Sequence, residues 1–131
     1  MSSPPIRGLI HTEVFLGWLT GQNPAVTFLL AVNRMWRPCL SQWSAMEMLA
    51  FARDQPERDN IRQYLTGCQV HPITALVARR AHAIVDQLAP PSSLSAADAI
   101  IAATALAHKL PLYTLDPARF AAVPGLTAIR P

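Results

Sequence analysis

Ser95-Ala96-Ala97-Asp98-Ala99-Ile100-Ile101-Ala102-Ala103-Thr104-Ala105-Leu106-Ala107-His108-Lys109, running into Pro111-Leu112-Tyr113-Thr114-Leu115-Asp116, decides the fold class. Alanine is the strongest helix former, and Ser95 with Asp98 makes the Ser-x-x-Asp pattern in which each side chain satisfies the other's free backbone amide. The segment therefore predicts a helix over Ala96–Lys109, and Pro111–Thr114 reads as a short apolar strand behind it. The same alternation extends outward. Upstream, Ile6–Ile10, Pro38–Trp43 and Cys68–Ile73 read as strands. Between them, Thr12–Leu19, Ala25–Met35 behind an Asn23-Pro24 start, a segment opened by Ser44-Ala45-Met46-Glu47, Glu57–Thr66 and Leu76–Leu88 read as helices. Downstream, Leu126–Ile129 is a last strand. Strands separated by helices need parallel crossovers, which predicts an α/β fold with a central parallel sheet of about five short strands flanked by helices.

The 131 residues suit one compact domain, residues 1–131, and are too few for two. With 51% hydrophobic and 15% charged residues the composition excludes a disordered chain. The formal charge is +3, and every basic residue but Lys109 is Arg, whose planar fork suits phosphate; a nucleic-acid partner is permitted. Cys39 and Cys68 lack the spacing of a metal knuckle and read as reduced core thiols of a cytoplasmic protein. Met1–Ile10 lacks the apolar run of an export signal, and the apolar stretch Val14–Trp36 is cut by Gly21 and Pro24, so no membrane span is expected. No Gly-x-Gly-x-x-Gly or Gly-x-x-x-x-Gly-Lys loop follows any strand, which disfavours a nucleotide-binding domain.

Among the carboxylates, Glu47 and Asp98 stand near helix starts and Asp116 directly after a strand. In a parallel α/β sheet, residues just past the strands' carboxyl ends face one crevice, so these three acids can converge. Converging carboxylates raise one another's pKa, and a divalent cation with hard oxygen ligands, Mg²⁺ or Mn²⁺, relieves the repulsion. Taken singly, each acid also has a local explanation: capping for Glu47 and Asp98, a turn for Asp116.

Leu112–Phe120 (Leu-Tyr-Thr-Leu-Asp-Pro-Ala-Arg-Phe) with Val123-Pro124-Gly125-Leu126 resembles the C-terminal signature of PIN domains. Asp98–His108 is similar to that family's central helix, Ser44–Leu49 to its Ser/Thr-x-x-Glu-Leu helix start, and Leu9–Phe15 to its opening Leu-Asp-Thr-Asn-Val-Leu. The resemblance covers nearly the whole chain, and PIN domains of this length are mostly toxin subunits of Vap-type toxin–antitoxin pairs, which are metal-dependent ribonucleases. It implies an Mg²⁺- or Mn²⁺-dependent endoribonuclease with RNA as substrate, an antitoxin partner and a homodimeric state. Carried over residue by residue, Glu47, Asp98 and Asp116 are the acids, with Thr114 as the supporting hydroxyl.

At the family's first acidic position this chain has His11. Either His11 itself ligates the metal, or Glu13 reaches the crevice in its place, or His11 merely hydrogen-bonds to one of the remaining acids. Arg119 stands where many relatives carry a further acid and is expected either to contact substrate phosphate or to pair with a nearby carboxylate. The alternative function is a catalytically impaired PIN-like module that binds RNA or a protein partner through the same cleft.

Overall fold

The computed structural model describes residues 4–131, so the first three positions of the Met1–Ile10 segment lie outside the described residues. The elements run β1 (Leu9–Ile10), α1 (Thr12–Leu19), α2 (Ala25–Met35), β2 (Cys39–Ser41), α3 (Gln42–Phe51), α4 (Gln55–Thr66), β3 (Gln69–His71), α5 (Ala75–Gln87), α6 (Ala96–Ala107), β4 (Leu112–Tyr113), a 3-10 turn (Pro117–Phe120) and β5 (Ala128–Ile129). The strands form one sheet in the order β3-β2-β1-β4-β5, and every neighbouring pair is parallel. The expected α/β sheet of five strands is therefore present, with each strand shorter than its apolar run in the sequence. No helix among the described residues is long and apolar enough to cross a membrane.

Because successive strand residues point to opposite faces, the sheet divides the core in two. Leu9, Cys39 and Leu112 pack with α5 and α6, through Val77, Ala81, Ile101 and Ala105. Ile10, Leu40 and Tyr113 pack with α1 to α4, through Phe15, Leu29, Met48 and Ile61. The two cysteines are free and buried, Cys39 in the first half and Cys68 in the second. Gly8 lets β1 and β4 close up: a Cβ there would lie 2.9 Å from the Tyr113 ring and 3.0 Å from the Pro111 carbonyl. His71, without a nameable partner in the sequence, faces His108 with ring centroids 3.9 Å apart.

The local chemistry corrects two expected helix starts. α3 begins at Gln42 because Ser41, the last residue of β2, accepts the Trp43 amide at 3.1 Å and caps the helix, so Trp43 is helical and Ser44 lies inside the first turn. Glu47 is thus in the second turn and its expected capping role disappears. α4 begins at Gln55 rather than Glu57, capped by Asp54, which accepts the Glu57 amide at 2.8 Å, with Pro56 tolerated in the first turn. At α2, Asn23 still serves the helix start, its Oδ1 accepting from the Thr27 amide at 3.2 Å and hydroxyl at 2.9 Å.

Candidate functional site

β1 ends at Ile10, and His11 turns the chain into α1 with an extended backbone. Its Nδ1 accepts the Glu13 amide at 3.1 Å, capping α1. An amide can only donate, so the ring proton sits on Nε2, which lies 2.8 Å from Asp98 Oδ1. Both ring nitrogens are engaged by the protein, and the buried ring stands edge-on to Phe120 with centroids 5.7 Å apart.

Asp98 arrives from the first turn of α6, where the expected capping box is complete: its amide donates to Ser95 Oγ at 3.0 Å and its Oδ2 accepts the Ser95 amide at 3.1 Å. Capping and site formation are not alternatives here. One oxygen caps the helix and the other meets His11. Burial alone would push the carboxyl up, but the hydrogen bonds from His11 and the Ser95 amide, with the charge of Arg119, hold it below its ordinary value.

Glu13, in the first turn of α1, reaches the crevice. Its Oε1 accepts from Thr114 Oγ1 at 2.6 Å and from the Leu115 amide at 2.9 Å, and its Oε2 accepts from Arg119 Nη2 at 2.9 Å. Burial opposes its charge, yet the Thr114 hydrogen bond, nearby His11 and Arg119 more than compensate and its pKa is lowered. Buried Thr114 also accepts the Asp116 amide at 3.1 Å, fixing the bend after β4. The Asp116 carboxylate makes no hydrogen bond among the described residues.

Arg119 rises from the 3-10 turn into the middle of these acids. Besides its bond to Glu13, its Nε lies 3.4 Å from Asp98 Oδ2, an ion-pair contact without hydrogen-bond alignment, so that this buried nitrogen has no hydrogen-bond partner among the described residues. Desolvation opposes its charge, but Glu13, Asp98 and Asp116 together raise its pKa. Of the two roles expected for Arg119, the structure shows the pairing.

Glu47 is held beside this cluster rather than within it. Thr12, between His11 and Glu13 in the chain, donates to Glu47 Oε1 at 2.7 Å and lies 2.8 Å from Ser44 Oγ. The structure thus joins His11, Asp98, Thr114 and Arg119, connects Glu47 through Thr12, and leaves the exposed Asp116 carboxylate outside ion-pair distance of the guanidinium. Glu13 is a full member where the sequence offered it only as one alternative, and Thr12 and Ser44 went unread. The signal for Thr12 was its place in the opening motif; Ser44 was visible only as a cap it does not form.

In donor chemistry the site fits a hard cation, since carboxylate oxygens converge on a point that already carries positive charge. The charge at that point is the guanidinium of Arg119. In this arrangement, no three His, Cys, Asp or Glu side chains among the described residues are grouped closely enough to hold a metal ion.

Comparison with known proteins identifies the family and the fold. The PIN domain family model matches residues 9–126. No curated protein matches the chain. Among solved structures, a toxin–antitoxin complex from Klebsiella pneumoniae is similar at 27% identity and a TM-score of 0.75, over 92% of this chain and 96% of that one. FitAcB from Neisseria gonorrhoeae follows at 22% identity and a TM-score of 0.73, over 93% and 96%. VapBC2 from Rickettsia felis, bound to a promoter DNA fragment, shares the fold at 12% identity and a TM-score of 0.71, over 93% and 96%. The matched stretch begins in β1, ends beyond the 3-10 turn and contains every side chain of the site; the chain belongs to the PIN domain family.

Proposed function

We propose that this chain is the toxin subunit of a toxin–antitoxin pair, a cytoplasmic, homodimeric endoribonuclease that hydrolyses RNA phosphodiester bonds with Mg²⁺ or Mn²⁺. The observation that carries this reading is the meeting of Glu13 and Asp98 on one positive charge at the carboxyl ends of parallel strands, with Asp116 held on the bend after β4 and Glu47 alongside through Thr12. The Klebsiella relative supports the antitoxin partner, because its structure is that of a toxin–antitoxin complex. Asp98 and Asp116, with Glu47, would hold the cation, which when bound polarises the scissile phosphate and makes water a better nucleophile.

The chain's own residues supply the rest. His11 positions Asp98 by donating to Oδ1, Thr12 positions Glu47, and Thr114 fixes the bend that presents Asp116. Arg119, freed from the carboxylates, offers a phosphate the same planar fork it now offers them. His11 acts in this scheme as a positioning residue, its two nitrogens being already used.

A second reading is an RNA-binding module without hydrolysis, and the engagement of Asp98 by both His11 and Arg119 favours it. The test is incubation of purified protein with single-stranded and structured RNA in Mg²⁺ and then Mn²⁺, beside Asp98→Asn. Cleavage by the wild type alone is the expected result. Equal cleavage by both proteins means a contaminant, and RNA binding without cleavage selects the second reading.

A further inference from the structure

We propose that Arg119 is a tethered counter-cation, held by Glu13, competing with a divalent ion for Asp98 and neutralising the pocket from within. This rests on the ribonuclease reading for the identity of the competing ion. It rests on geometry for the competition itself.

Three observations carry it. The guanidinium occupies the position that the carboxylates surround, within 2.9 Å of Glu13 and 3.4 Å of Asp98, and a second cation cannot share those lone pairs without strong like-charge repulsion. Both ring nitrogens of His11 are already engaged, by the Glu13 amide and by Asp98 Oδ1. Glu13 and Asp98 thus share one guanidinium between them.

The seating of Arg119 is also incomplete. A buried N–H normally has an acceptor, and here Nε of the half-buried Arg119 is itself buried without a hydrogen-bond partner among the described residues, misaligned with the Asp98 oxygen it approaches. The side chain stands on a 3-10 turn outside the sheet. It can rotate away from the acids without disturbing a strand pair. An arginine that is close, charged and imperfectly bonded is a competitor that can be displaced.

The test is Mn²⁺ binding without RNA, read from the electron paramagnetic resonance signal of the free ion, for wild type, Arg119→Gln and Arg119→Lys, with circular dichroism confirming the fold. Arg119→Gln should bind Mn²⁺ about tenfold or more tightly than wild type, and Arg119→Lys, which keeps the charge, should stay near wild type. If losing the partner of Glu13 unfolds Arg119→Gln, the double variant Glu13→Gln with Arg119→Gln removes both ends of the pair and should still exceed wild type. Equal affinity in wild type and the Gln variant overturns the competition while leaving the ribonuclease reading intact; a Lys variant as tight as the Gln variant overturns it too. If no variant takes up Mn²⁺, the pocket is not a cation site and the ribonuclease reading falls with the proposal.

Discussion

At the scale of single residues the site is a balance between acids and the groups that tame them, and His11 is where that balance is simplest to shift. Aspartate at this position still caps α1, since Asp is among the best N-cap residues, but it replaces a hydrogen-bond donor to buried Asp98 by a second negative charge. His11→Asp should therefore be less stable than wild type by about 1–3 kcal/mol in EDTA, recover most of that loss with Mn²⁺, and cleave RNA faster. Thermal melts with and without Mn²⁺ check it, and a variant whose melting ignores Mn²⁺ would remove position 11 from any account of the acid site. Proton linkage gives a second measurement. Asp98 and Glu13 are both held below their ordinary values of 3.8 and 4.5, so as pH falls the unfolded chain takes up protons before the folded one. Their stabilising contribution is complete above about pH 5 and disappears as the pH drops through the folded values. Urea midpoints should fall across that range in wild type, and the double variant Asp98→Asn with Glu13→Gln should show a shallower fall.

At the scale of elements, what was legible in the sequence was whatever a short local pattern determines. The capping box of α6 was read residue for residue, because Ser95 and Asp98 complete it within one turn and nothing distant competes. The start of α3 was misread for the opposite reason. Ser41 and Ser44 both offer a hydroxyl, and only the length of β2, set by pairing with β1 and β3, decides which one meets the first free amides. Glu13 was legible as a candidate but not as a member, since its partners Thr114, Leu115 and Arg119 are about a hundred positions away and are brought near by the β1–β4 pairing. Ser41→Ala and Ser95→Ala should each cost about 1 kcal/mol as lost caps. Ser95→Ala should in addition reduce RNA cleavage, because the Ser95 hydroxyl bonds the Asp98 amide and helps fix that residue in the site. Denaturant unfolding and cleavage assays on the same samples separate the two effects.

At the scale of the whole molecule, the sheet sorts the acids into those it uses to stay folded and one it does not. Glu13 spends both oxygens on Thr114, Leu115 and Arg119, stitching α1 to the segment after β4. Asp98 spends both on α6 and His11. Asp116 alone among the three presents a carboxylate with no hydrogen bond among the described residues, although its backbone is fixed by Thr114. A side chain that the fold positions and then leaves unpartnered is what selection for chemistry, rather than for stability, produces. Two substitutions of identical chemical size should then part company. Glu13→Gln should lower the denaturation midpoint, having lost a charged bond to Arg119. Asp116→Asn should change stability by no more than about 0.5 kcal/mol while reducing Mn²⁺-dependent cleavage by about a hundredfold or more. Melting curves paired with a fluorogenic RNA assay measure both. An Asp116→Asn protein that unfolds early, or that cleaves as well as wild type, would show that this acid belongs to the scaffold and not to the reaction.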